Sequence, residues 1–293
     1  MNIYYPLLKM FWFAVRHKDR LRTVPFSLSD GIEEVKDVDY FGDGKSEHML
    51  DIYFRSGENT GRPVVLSIHG GGWMSGVKEN NRNFCIRLAE RGFTVFNVNY
   101  SLAPKASLRD QLCDISAALS FLKENAGSFS GAPGSVSLVG DSAGGQLAFF
   151  TAALLCSGRL REIYEINLPD IKVLALALLS PVCFLTEGMG PVASGRRIAL
   201  SRDFMKKYGQ YVSPDSLPDL GTLPPCFIST AAEDHLGREQ SRRLSELLQK
   251  NGVRCELHFE ERSAHGHVYP IHNPDCDAAV SVTDSIARLI ENA

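Results

Sequence analysis

A serine hydroxyl is a weak nucleophile unless a base can take its proton and the backbone presents it on a tight turn. Gly140-Asp141-Ser142-Ala143-Gly144 has the composition for that. It is a G-x-S-x-G pentapeptide, directly after an apolar stretch that predicts a strand and at the start of an Ala- and Leu-rich stretch that predicts a helix. The flanking glycines let the chain turn sharply. The following helix aims its N-terminal N–H groups at the same place, which favours negative charge there. Without that chemistry the pentapeptide is a strand-to-helix turn with Ser142 as an N-cap, and the pattern alone does not separate the two.

A second motif weights the balance. His69-Gly70-Gly71-Gly72-Trp73 also follows a predicted strand. Consecutive glycines are costly to order unless backbone N–H groups must face a ligand. Acyl transfer passes through a tetrahedral oxyanion that needs such donors in place. A flexible loop is the competing account, and a bulky Trp directly after the glycines argues against it.

His-Gly-Gly-Gly-Trp followed by Gly-Asp-Ser-Ala-Gly-Gly resembles the hormone-sensitive-lipase-like family of carboxylesterases, over roughly Val64 to Val268. The resemblance implies an α/β-hydrolase fold with a mostly parallel central sheet flanked by helices and a small helical cap. It implies a Ser142 nucleophile, with Gly71, Gly72 and Ala143 supplying oxyanion N–H groups and His69 holding the glycine loop. In this fold the remaining triad members follow in the order acid, then His, each after a late strand. Glu233 and Asp234 both follow the apolar run from Phe227; Asp234 is preferred because the family carries Leu two residues after the acid, here Leu236. His265 and His267 both follow the last predicted strand; His265 is preferred because Gly266 follows it, as in the family's His loop. The implied activity is hydrolysis of short-chain, including acetyl, esters through an acyl-enzyme. The same triad would also serve a carbohydrate or xenobiotic deacetylase or an amidase. A non-catalytic small-molecule receptor on this scaffold is the reading from another class, and such proteins typically lose the His.

The chain departs from the family pattern at several places. Ser101 and Lys105 stand where relatives usually carry Arg and Glu, His235 where Pro is common, His267 in place of Phe and Gln146 in place of Asn.

The elements that would position these residues alternate. Strands are expected at Val35–Tyr40, Met49–Phe54, Pro63–Ile68, Phe93–Val98, Ser135–Val139, Lys172–Leu179, Pro225–Thr230 and Arg254–Phe259. Helices are expected at Asn80–Arg91, Leu108–Asn125, Ser142–Cys156, Arg238–Lys250 and Cys276–Asn292. Such alternation requires crossovers and a mostly parallel sheet covered on both faces. The first two strands, separated by Gly42-Asp43-Gly44, are its antiparallel start. The expected organisation is a single domain over residues 1–293, with cap elements at about 1–25 and 181–223 that include Phe11, Trp12, Phe13 and Met205. The second segment is rich in Gly and Pro and contains a helical stretch around Arg202–Tyr208.

Composition sets the outer bounds. A net charge of −3 with scattered Lys and Arg gives no concentrated basic surface for nucleic acid. Seven cysteines without C-x-x-C spacing suggest reduced thiols rather than a disulfide framework or a zinc site. No H-E-x-x-H motif is present, so neither metal nor other cofactor is expected. The apolar stretch Tyr4–Val15 is interrupted by Lys9 and is shorter than a bilayer span, so stable membrane insertion is not expected. The sequence leaves open whether this stretch is a cap helix or a membrane-surface contact. The expectation is a cytoplasmic protein acting on a small-molecule ester, as monomer or homodimer.

Overall fold

The computed structural model describes residues 26–57, 60–185, 199–262 and 265–293. The expected first cap segment, with Phe11, Trp12 and Phe13, and residues 186–198 of the expected second one lie outside them. The strands are β1 (Ile32–Asp39), β2 (Met49–Arg55), β3 (Val64–Ile68), β4 (Thr94–Val98), β5 (Ser135–Asp141), β6 (Lys172–Leu179), β7 (Cys226–Ala231) and β8 (Cys255–Glu260). They form one eight-stranded sheet in the order β1-β2-β4-β3-β5-β6-β7-β8. β2 pairs antiparallel with β1 and β4, and every later pairing is parallel.

The helices are α1 (Arg82–Glu90), α2 (Leu108–Asn125), α3 (Ser142–Cys156), α4 (Gly158–Tyr164), α5 (Arg202–Tyr208), α6 (Arg238–Lys250), the single turn α7 (Tyr269–His272) and α8 (Asp277–Glu291). Side chains of a strand point alternately to opposite faces, and the core divides accordingly. Val65, Val95, Val139, Ala177 and Phe227 pack with Phe84 and Leu88 of α1 and Val282 and Ile286 of α8. Their neighbours Leu66, Phe96, Leu138, Leu178 and Ile228 pack with Leu112 of α2, Leu147 of α3 and Leu244 of α6. Both faces are covered, which is why the central strands read as continuous apolar runs instead of alternating ones.

Local chemistry sets the ends of these elements. Ser107 caps α2, its hydroxyl accepting from Asp110 N–H while the Asp110 carboxylate accepts from Ser107 N–H at 2.8 Å, an arrangement worth about 1 kcal/mol. After α1 the chain reverses through Gly92 at φ 94°, which costs glycine nothing. The short helix α4 is absent from the sequence expectation; the Ser157 hydroxyl caps it by accepting from Leu160 N–H at 3.1 Å. Among the described residues no helix is long and apolar enough to cross a membrane.

Four strands end at one place. β3 runs into His69, β5 into Ser142, β7 toward Asp234 and β8 toward the 265–267 loop. The C-terminal edge of a parallel sheet is where such folds place ligands.

Candidate active site

Strand β5 passes into α3 without an intervening loop, because the strand continues two residues beyond the expected Val139 to Asp141. Ser142 takes the whole turn and adopts φ 52°, a left-handed conformation that non-glycine residues seldom occupy. Gly140 and Gly144 make the turn feasible. A Cβ on Gly140 would overlap the Gly144 carbonyl, and one on Gly144 would overlap the carbonyls of Ile68 and His69.

His267 bridges Ser142 and Asp234. Its Nε2 is 2.9 Å from Ser142 Oγ and its Nδ1 is 2.8 Å from Asp234 Oδ1. A carboxylate only accepts, so Nδ1 carries the proton and Nε2 is left to accept from the serine hydroxyl. Asp234 is fully buried. It also accepts from the Thr230 hydroxyl at 2.9 Å and from the N–H groups of Leu236 and Gly237 at 3.2 and 2.7 Å. Burial alone would raise its carboxyl. The hydrogen bond and charge of His267, with Gly237 N–H and the Ser180 hydroxyl, outweigh that and hold it at about 2. Gly237 has no room for a side chain, since a Cβ would lie 2.6 Å from Asp234 Oδ2.

The preference for His265 is corrected by this geometry. Its ring packs on Tyr269, centroids 4.9 Å apart, and makes no bond to Ser142 or Asp234. The loop is held by a parallel bridge between Gly266 and Glu233 and by the Val268 N–H, which donates to Ser180 Oγ at 3.1 Å. That register sends the side chain after Gly266, not the one before it, to the serine. The local feature used to choose between them, the Gly266 that follows His265, pointed to the wrong one. Of the two acids, Asp234 faces His267, whereas Glu233 is half exposed beside His235 at 3.4 Å.

The glycine loop stands against the nucleophile turn. Gly71 and Gly72 adopt φ 118° and 61°, and their N–H groups find no acceptor among the described residues. The Ala143 N–H, in the first turn of α3, has none inside the helix. His69 stacks on Tyr100, centroids 4.4 Å apart, and its Nδ1 donates to the Gly70 carbonyl at 2.7 Å. Burial pushes His69 down to about 4 against that hydrogen bond, so the ring is neutral. The loop is further tied by the Gln111 amide, donating to the Trp73 carbonyl at 2.9 Å. A hydroxyl, a base held by a buried carboxylate, and unpaired N–H groups beside them form the equipment for acyl transfer. Among the described residues no group of three or more His, Cys, Asp or Glu side chains could share a metal ion.

A family model described as the alpha/beta hydrolase fold matches residues 65–269. The chain belongs to the α/β-hydrolase-fold family. Within that family it has the hormone-sensitive-lipase-like character of its two motifs, and named carboxylesterases are among its relatives. Carboxylesterase NlhH of Mycobacterium tuberculosis is 29% identical over 266 residues, covering 85% of this chain and 79% of its own. Esterase LipQ of the same organism is 30% identical over 243 residues, covering 79% of this chain and 56% of its own. Esterase B from Lactobacillus rhamnosis superposes with a TM-score of 0.88 at 24% identity, covering 98% of this chain and 94% of that one. The last likeness is one of α/β-hydrolase fold.

Proposed function

We propose that this α/β-hydrolase is a serine carboxylesterase in which Ser142 is the nucleophile, His267 the general base and Asp234 the residue that orients the imidazole. The observation that carries the reading is the pair of hydrogen bonds on His267, 2.9 Å to Ser142 Oγ and 2.8 Å to Asp234 Oδ1. His267 takes the serine proton as Oγ attacks the ester carbonyl, and the Asp234 carboxylate stabilises the imidazolium that forms. The N–H groups of Gly71, Gly72 and Ala143 bind the oxyanion. The imidazolium then protonates the departing alcohol. Water activated by His267 hydrolyses the acyl-enzyme and regenerates Ser142.

Short acyl chains are the proposed substrates. The segments read as cap elements in the sequence carry the bulky apolar residues Phe11, Trp12, Phe13 and Met205, which would limit the length of chain accommodated.

Hydrolysis of p-nitrophenyl esters from acetate to laurate, by wild type and Ser142→Ala, tests both parts. Activity greatest on short chains, and lowered by about 10⁶ in the variant, is the expected result. Substantial activity retained by folded Ser142→Ala would overturn the assignment of the nucleophile. No activity of folded wild type on any ester would overturn the esterase reading. A preference for long chains would overturn the substrate class alone.

A further inference from the structure

The residue preceding the proposed nucleophile is fully buried at 6% exposure and is not part of the proton relay. Asp141 Oδ1 accepts two hydrogen bonds, from the Gly70 N–H and from the Asn81 side-chain amide, each 2.9 Å. Its Oδ2 packs against Gly70 so closely that a Cβ there would overlap it. One carboxylate therefore joins three separate segments: the nucleophile turn, the glycine loop, and the turn that leads into α1. Gly70 is the peptide immediately before the two whose N–H groups are unpaired.

We propose that Asp141 is a positioning residue for oxyanion binding, and that Asn81 supports it by holding the carboxylate against Gly70. Attack by Ser142 builds charge on an oxygen whose location is set by the nucleophile turn, while donors to it come from the glycine loop. Their separation must be fixed to a few tenths of an ångström for the donors to act at full strength. The Asp141 to Gly70 bond fixes it from the residue adjacent to the nucleophile. A buried carboxylate bears a desolvation cost that an apolar side chain would not, so its place here is explained by position rather than by packing. The inference rests on the carboxylesterase reading.

The test compares Asp141→Asn, Asp141→Ala and Asn81→Ala on p-nitrophenyl butyrate, with inhibition by phenylboronic acid as a tetrahedral probe. Asp141→Ala should lower kcat by about 10² or more, with KM changed less than about threefold and the boronate weakened in parallel. Asp141→Asn keeps an acceptor oxygen and should recover a large part of that loss. Asn81→Ala should reduce kcat by about tenfold in the same pattern, and it reads the proposal independently if the Asp141 variants do not fold. Variants with wild-type kcat, or a loss confined to KM, overturn the positioning role while leaving the esterase reading standing. A folded wild type that hydrolyses no ester overturns the esterase reading and this inference with it.

Discussion

The indole N–H of Trp73 donates to Gln146 Oε1 at 3.0 Å, joining the glycine loop to the second turn of α3. Both residues are buried, at 1% and 0% exposure. The Gln146 side chain spans the gap from α3 to the indole. The glycine loop and the nucleophile helix are thus pinned twice, here and at the Asp141 contact with Gly70.

Trp73→Phe keeps an aromatic group but exchanges the indole for a smaller phenyl, and it leaves the Gln146 oxygen buried without its donor. The expected cost is about 1–3 kcal/mol of stability, read from urea denaturation. Adding Gln146→Leu should recover part of it, because both partners are then apolar. A double variant no more stable than Trp73→Phe would show that the bond does not carry the effect.

The two histidines of the 265–267 loop separate cleanly by substitution. His267→Ala should lower kcat/KM on p-nitrophenyl butyrate by about 10⁴ or more. His265→Ala removes a ring packed on Tyr269 and should leave kcat/KM within about threefold. The reverse ranking would return the base to the residue preferred from sequence.

Asp141 makes stability depend on pH in a predictable sense. Burial raises its carboxyl from an ordinary 3.8 to about 6, against the hydrogen bonds from Asn81 and Gly70 and the charge of His267. Tyr100 and Cys85 also sense its charge. The folded protein therefore binds this proton more tightly than the unfolded chain. The ionised side chain costs stability fully above about 6, and the cost fades as pH falls from about 6 toward 4. Asp141→Asn should exceed wild type by up to about 3 kcal/mol near pH 8, with the gap closing across that window. A gap independent of pH would show that burial does not raise the Asp141 carboxyl above its value in the unfolded chain.

Gly144→Ala places a Cβ on the backbone carbonyls of Ile68 and His69, which are rigid parts of β3 and its exit. The expected result is little soluble protein, or folded protein with kcat reduced by about 10² or more as Ser142 is displaced. Purified Gly144→Ala with wild-type kcat would mean that the nucleophile turn tolerates a shift of the glycine loop.

Much of the architecture was legible because its causes are local. Val64–Ile68, rich in β-branched residues, and the short apolar run Lys172–Leu179 both read as buried strands, and both form where expected. Gly92 ends the region of α1 for the same reason that it stood out in sequence, its freedom at positive φ. The helix α4 was not legible: it is seven residues long, too short for a periodic apolar pattern to emerge, and depends on the Ser157 cap.

Three placements were legible within single segments: Ser142 at a strand-to-helix junction, a glycine loop after an earlier strand, and an acid and a histidine after two late ones. These are properties of short segments, governed by backbone sterics and by burial of contiguous side chains. Which histidine meets Ser142 was set by contacts between segments distant in the chain. His265 and His267 differ by one residue about a glycine, and their directions depend on the bridge from Gly266 to Glu233 and the bond from Val268 to Ser180. The same is true of the tie between Asp141, Gly70 and Asn81. Such contacts join residues distant in the chain, and their geometry exists only once β3, β5, β7 and β8 lie side by side.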